Sequence, residues 1–193
     1  MEILEIEIKI ALNKNAEEIL REYVASKGLA GKKVKEVDFY LDRGYELARD
    51  DKVLRIRSST LENSSSTELT FKGGKFSDKV KSRQEIAIQV EETDAETVIE
   101  FFKQLGFLVA GIVRKERIYW QLEQNGYEFQ VSLYRVEDVG TFLEIETLSS
   151  MKDKDEAEKR VHDLLDLILG EEARKSKSIL RSYVDILLEK QGN

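Results

Sequence analysis

The sequence of 193 residues contains no cysteine, which excludes disulfides, thiolate zinc sites and cysteine nucleophiles. Its single histidine, His162, rules out a multi-histidine metal site. No run approaches the roughly 20 apolar residues that a membrane helix requires. No apolar signal segment precedes the strand-like pattern at the N-terminus, so the expected location is cytoplasmic and off the membrane. A basic surplus is missing too: the net charge of −7 argues against binding along a nucleic-acid backbone. What remains is a chain that is 41% hydrophobic and 36% charged, the composition of a globular protein. Its length suits one domain, residues 1–193, with a sizeable core.

Residues 2–12 alternate, with Leu4, Ile6, Ile8 and Ile10 on one face and Glu5, Glu7 and Lys9 on the other, the period of a strand. Asn15 is placed to cap a helix with Ile19, Leu20, Tyr23 and Val24 on one stripe, ending near Gly28. Strands are expected over 34–41 and 52–58, then a serine-rich turn over 58–67 and a strand over 68–72 that Gly73-Gly74 ends. A polar loop over 75–82 leads to a strand over 83–91. Asp94 caps a second helix bearing Val98, Phe101, Phe102 and Leu105 and stopping at Gly106. Strands follow over 113–122, 127–134 and 141–147, and helices near 153–169 and 177–190 close the chain. Strands and helices thus share residues 1–148, with C-terminal helices over 151–190.

Asn15…Gly28…Asp38-Phe39-Tyr40-Leu41 is echoed roughly 79 positions later by Asp94…Gly106…Arg117-Ile118-Tyr119-Trp120. This is either a repeat, whose halves of about four strands each close into one barrel, or a coincidence of two ordinary helix–strand units.

The charged side chains keep to one face of each strand. Arg55 and Arg57 share a face, as do Glu68, Thr70 and Lys72, then Lys81, Arg83 and Glu85. Lys115, Arg117 and Tyr119 alternate likewise, and so do Glu144 and Glu146. The opposite faces carry Leu54 and Ile56, Leu69 and Phe71, Ile86 and Ile88, Ile118 and Trp120, Leu143 and Ile145. A half-buried sheet normally turns its polar face to water, so a plain solvated face is one reading. The other is a closed sheet with its apolar faces packed outward against helices and its charges converging inside. Mixed carboxylates and bases in such an interior balance only in part, and a cation with a polyanion would complete the balance.

Taken in order, Glu5-x-Glu7-x-Lys9, Leu54-Arg55-Ile56-Arg57, Thr70-Phe71-Lys72-Gly73, Arg83-Gln84-Glu85, Arg114-Lys115-Glu116-Arg117 and Phe142-Leu143-Glu144-Ile145-Glu146 resemble the CYTH superfamily. The terminal Arg181-Ser182-Tyr183-Val184-Asp185-Ile186-Leu187-Leu188 resembles its closing helix. These triphosphate tunnel metalloenzymes include class IV adenylyl cyclases, thiamine triphosphatases and inorganic triphosphatases. The resemblance implies an α+β fold, a closed antiparallel eight-stranded β-barrel, or tunnel, with helices packed outside. It implies a metal-dependent enzyme whose partner is a small molecule carrying a triphosphate, not a nucleic acid or a membrane, acting as a monomer or homodimer. The wording lies closest to the class IV cyclases, which convert ATP to cyclic AMP and pyrophosphate. The alternatives are hydrolysis of inorganic or thiamine triphosphate, or a catalytically weak binder of nucleotide or polyphosphate.

Residue by residue, the resemblance assigns Glu5, Glu7, Glu144 and Glu146 to Mg²⁺ or Mn²⁺, hard cations that prefer oxygen ligands. Lys9, Arg55, Arg57, Lys72, Arg83, Lys115 and Arg117 are assigned to phosphate oxygens. Glu5, Glu7, Lys9 and Arg117 carry the catalytic expectation. Glu85 either positions a basic neighbour or a second metal, or forms an internal ion pair with Arg83 or Lys72. One departure stands out: Leu133-Tyr134-Arg135-Val136-Glu137-Asp138-Val139-Gly140 has Tyr134 where the family places an aspartate associated with the metal site. A phenol there removes one carboxylate, and Asp138, at a loop position, is a poor substitute. Gly73-Gly74 lacks P-loop spacing, His162 is expected on a helix surface, and Trp120 is expected between sheet and helix.

Overall fold

The computed structural model describes residues 3–62, 64–74, 81–91 and 93–192. Eight strands form: β1 (Ile3–Ala11), β2 (Lys32–Asp42), β3 (Val53–Leu61), β4 (Ser64–Lys72), β5 (Lys81–Val90), β6 (Leu108–Gln124), β7 (Tyr127–Val136) and β8 (Gly140–Ser150). They close into an antiparallel barrel in the order β1-β5-β4-β3-β2-β6-β7-β8, with β8 returning to β1. The closing seam is short on one side, where β1 pairs with β5 only over Leu4–Glu7. The helices are α1 (Lys14–Ser26), α2 (Glu46–Arg49), α3 (Ala95–Gln104), α4 (Lys154–Leu169), α5 (Glu171–Lys175) and α6 (Tyr183–Gly192). Among the described residues, no helix is long and apolar enough to cross a membrane.

Several boundaries differ from the sequence expectation. Asn13, not Asn15, caps α1, its side chain accepting from the Ala16 N–H at 2.8 Å, while Asp94 caps α3 as expected, accepting from Thr97 at 2.8 Å. Both helices end in a left-handed glycine, Gly28 (φ 65°) and Gly106 (φ 86°). The serine-rich segment expected as a turn is strand instead: Ser58↔Thr67, Ser59↔Ser66 and Thr60↔Ser65 pair across a β3–β4 hairpin. Of the expected loop over 75–82, residues 75–80 lie outside the described residues, and Lys81 and Ser82 begin β5. The last helix starts at Tyr183 rather than near 177. The segment before it runs along β1, where the Ile179 N–H donates to the Lys9 carbonyl at 2.8 Å. The echoed strands β2 and β6 are antiparallel neighbours, but the two halves supply five strands and three rather than four each.

The outward faces of β1, β7 and β8, through Leu4, Ile6, Ile8, Leu133, Leu143 and Ile145, pack on Leu20 and Val24 of α1 and Val161, Leu164 and Ile168 of α4. Each fully buried aliphatic chain there contributes about 1.5–3 kcal/mol. Trp120 lies in the same core, as expected, and Gly31 is obligatory beside it, because a Cβ would come within 2.7 Å of its indole nitrogen. His162 is exposed on α4, also as expected. Leu54 and Ile56 of β3 are covered by Val98 and Ile99 of α3. Among the described residues no such cover lies over β5, whose Ile86 and Ile88 stay exposed at 51% and 54%, so the expected helical packing fails on that strand. At one end of the barrel the inward-facing Val113, Tyr134 and Phe142 meet Tyr183, Val184 and Leu187 of α6. Gly111 lets α6 approach that closely; a Cβ there would collide with Val184.

Candidate functional site

The barrel encloses a cavity of about 920 Å³ whose wall includes Glu5, Glu7, Lys9, Arg55, Arg57, Lys72, Glu85, Lys115, Arg117, Glu144 and Glu146. Of the two readings that the alternation left open, the structure takes the closed one: the charged faces lie inside the tunnel rather than on the solvated surface. A second cavity of about 530 Å³ shares Glu5, Gln130 and Glu146 with the first and is rimmed by Gln121, Glu128 and Thr147. Pairing across β1 and β8 sets Glu7 beside Glu146 and Lys9 beside Glu144, which gathers the four glutamates on one wall.

Each described cation of the tunnel wall faces a carboxylate. Lys9 lies 3.2 Å from Glu144 and 3.7 Å from Glu7, and Lys72 lies 2.9 Å from Glu5 and 2.6 Å from Glu85. The ion-pair reading of Glu85 is thus realised with Lys72. Arg55 contacts Glu68 at 3.1 Å. Arg57, Lys115 and Arg117 converge on two carboxylates of β2 that the sequence reading did not assign to the site, Glu36 and Asp38, exposed by 1% and 0%. Their signal was present: Glu36, Asp38 and Tyr40 keep the same alternation as the other inward residues. Burial works to raise both carboxyls, and the Arg57 and Lys115 charges outweigh it and hold them below the usual range.

The opposite holds on the glutamate wall. Burial pushes the Glu5 carboxyl up to about 7 against the pull of Lys72, with Glu85 and Glu7 adding to the rise. Burial, then repulsion from Glu5, Glu7 and Glu144, pushes Glu146 up to about 8. The folded chain thus binds protons at Glu5 and Glu146 that the unfolded chain releases near pH 4.5. Their contribution to stability is full below that value and is lost as pH rises through about 7 to 8. In chelator, the melting temperature is expected to fall between about pH 5 and pH 8, and Mg²⁺ is expected to recover it at the upper end. Thermal melts across that range test this; a flat or rising profile in chelator contradicts it.

The donor set fits a hard divalent cation. It is all oxygen, and burial raises two of its carboxyls, Glu5 and Glu146, a rise that a bound cation would oppose. Among the described residues no three carboxylates are grouped closely enough to hold a metal ion by themselves. Buried polar atoms without a hydrogen-bond partner among the described residues include Glu36 Oε1 and Oε2, Arg55 Nε, Arg117 Nε, Ser132 Oγ and Tyr183 Oη. Buried polar groups of that kind mark a site completed by solvent or ligand.

Tyr134 faces the tunnel, as its alternation required, but sits toward the basic wall. Its ring lies 4.9 Å from Lys115 Nζ, and its hydroxyl accepts from Arg117 Nη1 at 3.4 Å. Asp138 is exposed in a turn, at φ 58°, and does not line the cavity. Tyr119 lies under Arg117, whose guanidinium carbon is 4.6 Å from the ring centroid. Arg83 pairs with Glu5 through its strand position, and its side chain lies outside the described residues. Tyr183 of α6, noted in the sequence only within the closing segment, presents its ring 4.0 Å from Lys9 Nζ, while Lys9 also donates to the Arg181 carbonyl at 3.2 Å.

Residues 4–183 match the profile of the CYTH domain. The chain belongs to the CYTH domain family. This CYTH protein is 28% identical over 188 residues to a Methanocaldococcus jannaschii protein provisionally named adenylate cyclase, a match spanning 95% of this chain and 98% of that one. A solved Pyrococcus horikoshii structure is similar at 29% identity and a TM-score of 0.81, covering 96% of this chain and 99% of the other. A Hippeastrum protein provisionally named adenylyl cyclase, for which a dominant triphosphatase activity is described, shares the fold at 18% identity and a TM-score of 0.67, over 98% and 96% of the two chains.

Proposed function

We propose that this CYTH protein is a metal-dependent enzyme that binds a triphosphate in its tunnel and cleaves it, in the manner of the class IV adenylyl cyclases. The observation that carries this reading is that Glu5, Glu7, Glu144 and Glu146 line one cavity together with Lys9, Arg55, Arg57, Lys72, Lys115 and Arg117. Glu5, Glu7, Glu144 and Glu146 would hold Mg²⁺ or Mn²⁺, which when bound neutralises phosphate charge and orients the attacking oxygen. Lys9, Arg55, Arg57, Lys72, Lys115 and Arg117 would grip phosphate oxygens, and Arg117 would stabilise charge on the departing group. Attack by the ribose 3′-hydroxyl of ATP forms the 3′-oxygen–α-phosphorus bond and releases pyrophosphate. Attack by water on inorganic or thiamine triphosphate releases phosphate instead. The provisional names of the relatives support the first reaction, and the Hippeastrum triphosphatase activity brings the second into the same fold.

A second reading, a binder without turnover, draws on Tyr134, which fills tunnel space beside Lys115 and Arg117. Incubation with ATP, inorganic triphosphate and thiamine triphosphate, each with Mg²⁺ or Mn²⁺, separates the cases. Chromatography detects cyclic AMP and a phosphate assay detects hydrolysis. Turnover of at least one substrate is expected; binding without turnover of any would sink the enzyme reading.

A further inference from the structure

Glu36 and Asp38 of β2 face the same basic wall but are held differently. Asp38 accepts a two-pronged hydrogen bond from Arg57, at 2.6 Å from Nε and 3.0 Å from Nη2. Glu36 has charge contacts of 3.1 Å to Arg117 Nε, 3.3 Å to Lys115 Nζ and 3.6 Å to Arg57 Nε. Yet neither Glu36 oxygen accepts a hydrogen bond among the described residues, and Arg117 Nε donates none. Asp38 is therefore locked in place by directed bonds, whereas Glu36 is kept among three cations by charge alone.

A phosphate reaching this wall offers oxygens that can take up directed bonds from Arg117 and Lys115. It must do so beside a buried carboxylate of the same sign. Two like charges a few ångströms apart in a buried site repel strongly enough to weaken a binding constant. A divalent cation travelling with the phosphates lowers their charge and removes much of that repulsion.

We infer that Glu36 is a built-in competitor for the anion position on the Arg57–Lys115–Arg117 wall, and that it makes the tunnel select a metal-bound triphosphate over the free anion. This rests on the triphosphate reading above. It assigns Glu36 a role in specificity: it sets the affinity of the wall without itself touching metal.

The test is calorimetric titration of the full chain with inorganic triphosphate, in chelator and in Mg²⁺. The parent protein is expected to bind at least tenfold more weakly in chelator. Glu36→Gln is expected to raise the affinity in chelator by about tenfold, with a smaller gain in Mg²⁺ and a gain that shrinks as salt is added. Asp38→Asn makes the same charge change but removes the fork that positions Arg57, so it is expected to weaken binding in both conditions. Opposite signs for these two variants are the signature of the proposed role. Unchanged or weaker binding by Glu36→Gln in chelator, or both variants moving the same way, would reduce Glu36 to a structural ion pair. No binding by the parent in Mg²⁺ would overturn the triphosphate reading, and this inference with it. Should Glu36→Gln not fold, Glu36→Asp keeps the charge but draws it back from Arg117, and a gain in chelator of roughly threefold is expected; no gain overturns the proposal equally.

Discussion

Replacing Glu146 with glutamine is expected to leave the metal-free protein at least as stable as its parent while cutting Mg²⁺-dependent turnover by roughly 10²–10³-fold. The two halves of this expectation have one cause. Burial and the neighbouring Glu5, Glu7 and Glu144 raise the Glu146 carboxyl to about 8, so near neutral pH it already carries a proton and resembles an amide in charge. Its Oε1 accepts a hydrogen bond from Gln130 Nε2 at 2.6 Å, and the amide oxygen of a glutamine can accept the same bond. Glutamine cannot, however, become the anion that a cation would hold. Melting curves in chelator check the first half, and cyclic AMP or phosphate release in Mg²⁺ checks the second. Full turnover in the variant would remove Glu146 from the proposed metal set.

Tyr134→Asp, which restores the residue type usual in the family, is expected to destabilise the protein by about 3–5 kcal/mol rather than repair a metal site. The ring is 3% exposed and packs with Val113, Phe142, Tyr183 and Leu187, where α6 closes one end of the barrel. Its centroid lies 5.7 Å from that of Tyr183, and that of Phe142 lies 5.0 Å from Tyr183. Aspartate would leave most of that volume empty and bring a charge into an aromatic cluster. The melting temperature should drop by on the order of 10 °C, whereas Tyr134→Phe, which loses only the long contact with Arg117, should stay within a few degrees. A Tyr134→Asp protein that melts with the parent would show that the phenol does little to seat α6. A gain in its turnover would instead mark the phenol as the cause of weakened catalysis.

The alternation of β1, β3, β4, β6 and β8 was legible in the sequence because a closed sheet with an apolar outside and a charged inside writes period two on both of its faces. Glu36 and Asp38 follow the same rule, but Lys32, Lys33 and Lys35 scatter charge over both faces at the start of β2 and hide it. The serine-rich run was misread because serine signals turns when taken alone; here its backbone pairs from Ser58↔Thr67 outward carry β3 and β4 past the core. That Asn13 rather than Asn15 caps α1 turns on two residues of register between similar side chains, which periodicity does not resolve. Most consequentially, alternation shows which charges point inward but not which of them meet. The pairing of every described tunnel cation with a carboxylate depends on strand register and shear, and these emerge only when the barrel closes.

That closure has a kinetic consequence. β1 is the first strand of the chain, and its partners are β5 and β8, with Ile3 opposite Ser150. The β2–β5 and β6–β8 meanders can zip from local hairpins, but β1 must wait for a partner that lies almost the length of the barrel away along the chain. Contacts so distant in sequence slow folding, because the entropy of closing the loop is lost before the contacts reward it. Glu5 and Glu7 sit on one side of this seam and Glu144 and Glu146 on the other. The carboxylate wall is therefore complete only once this most distant pairing has formed, and until then its glutamates stand as two separate pairs.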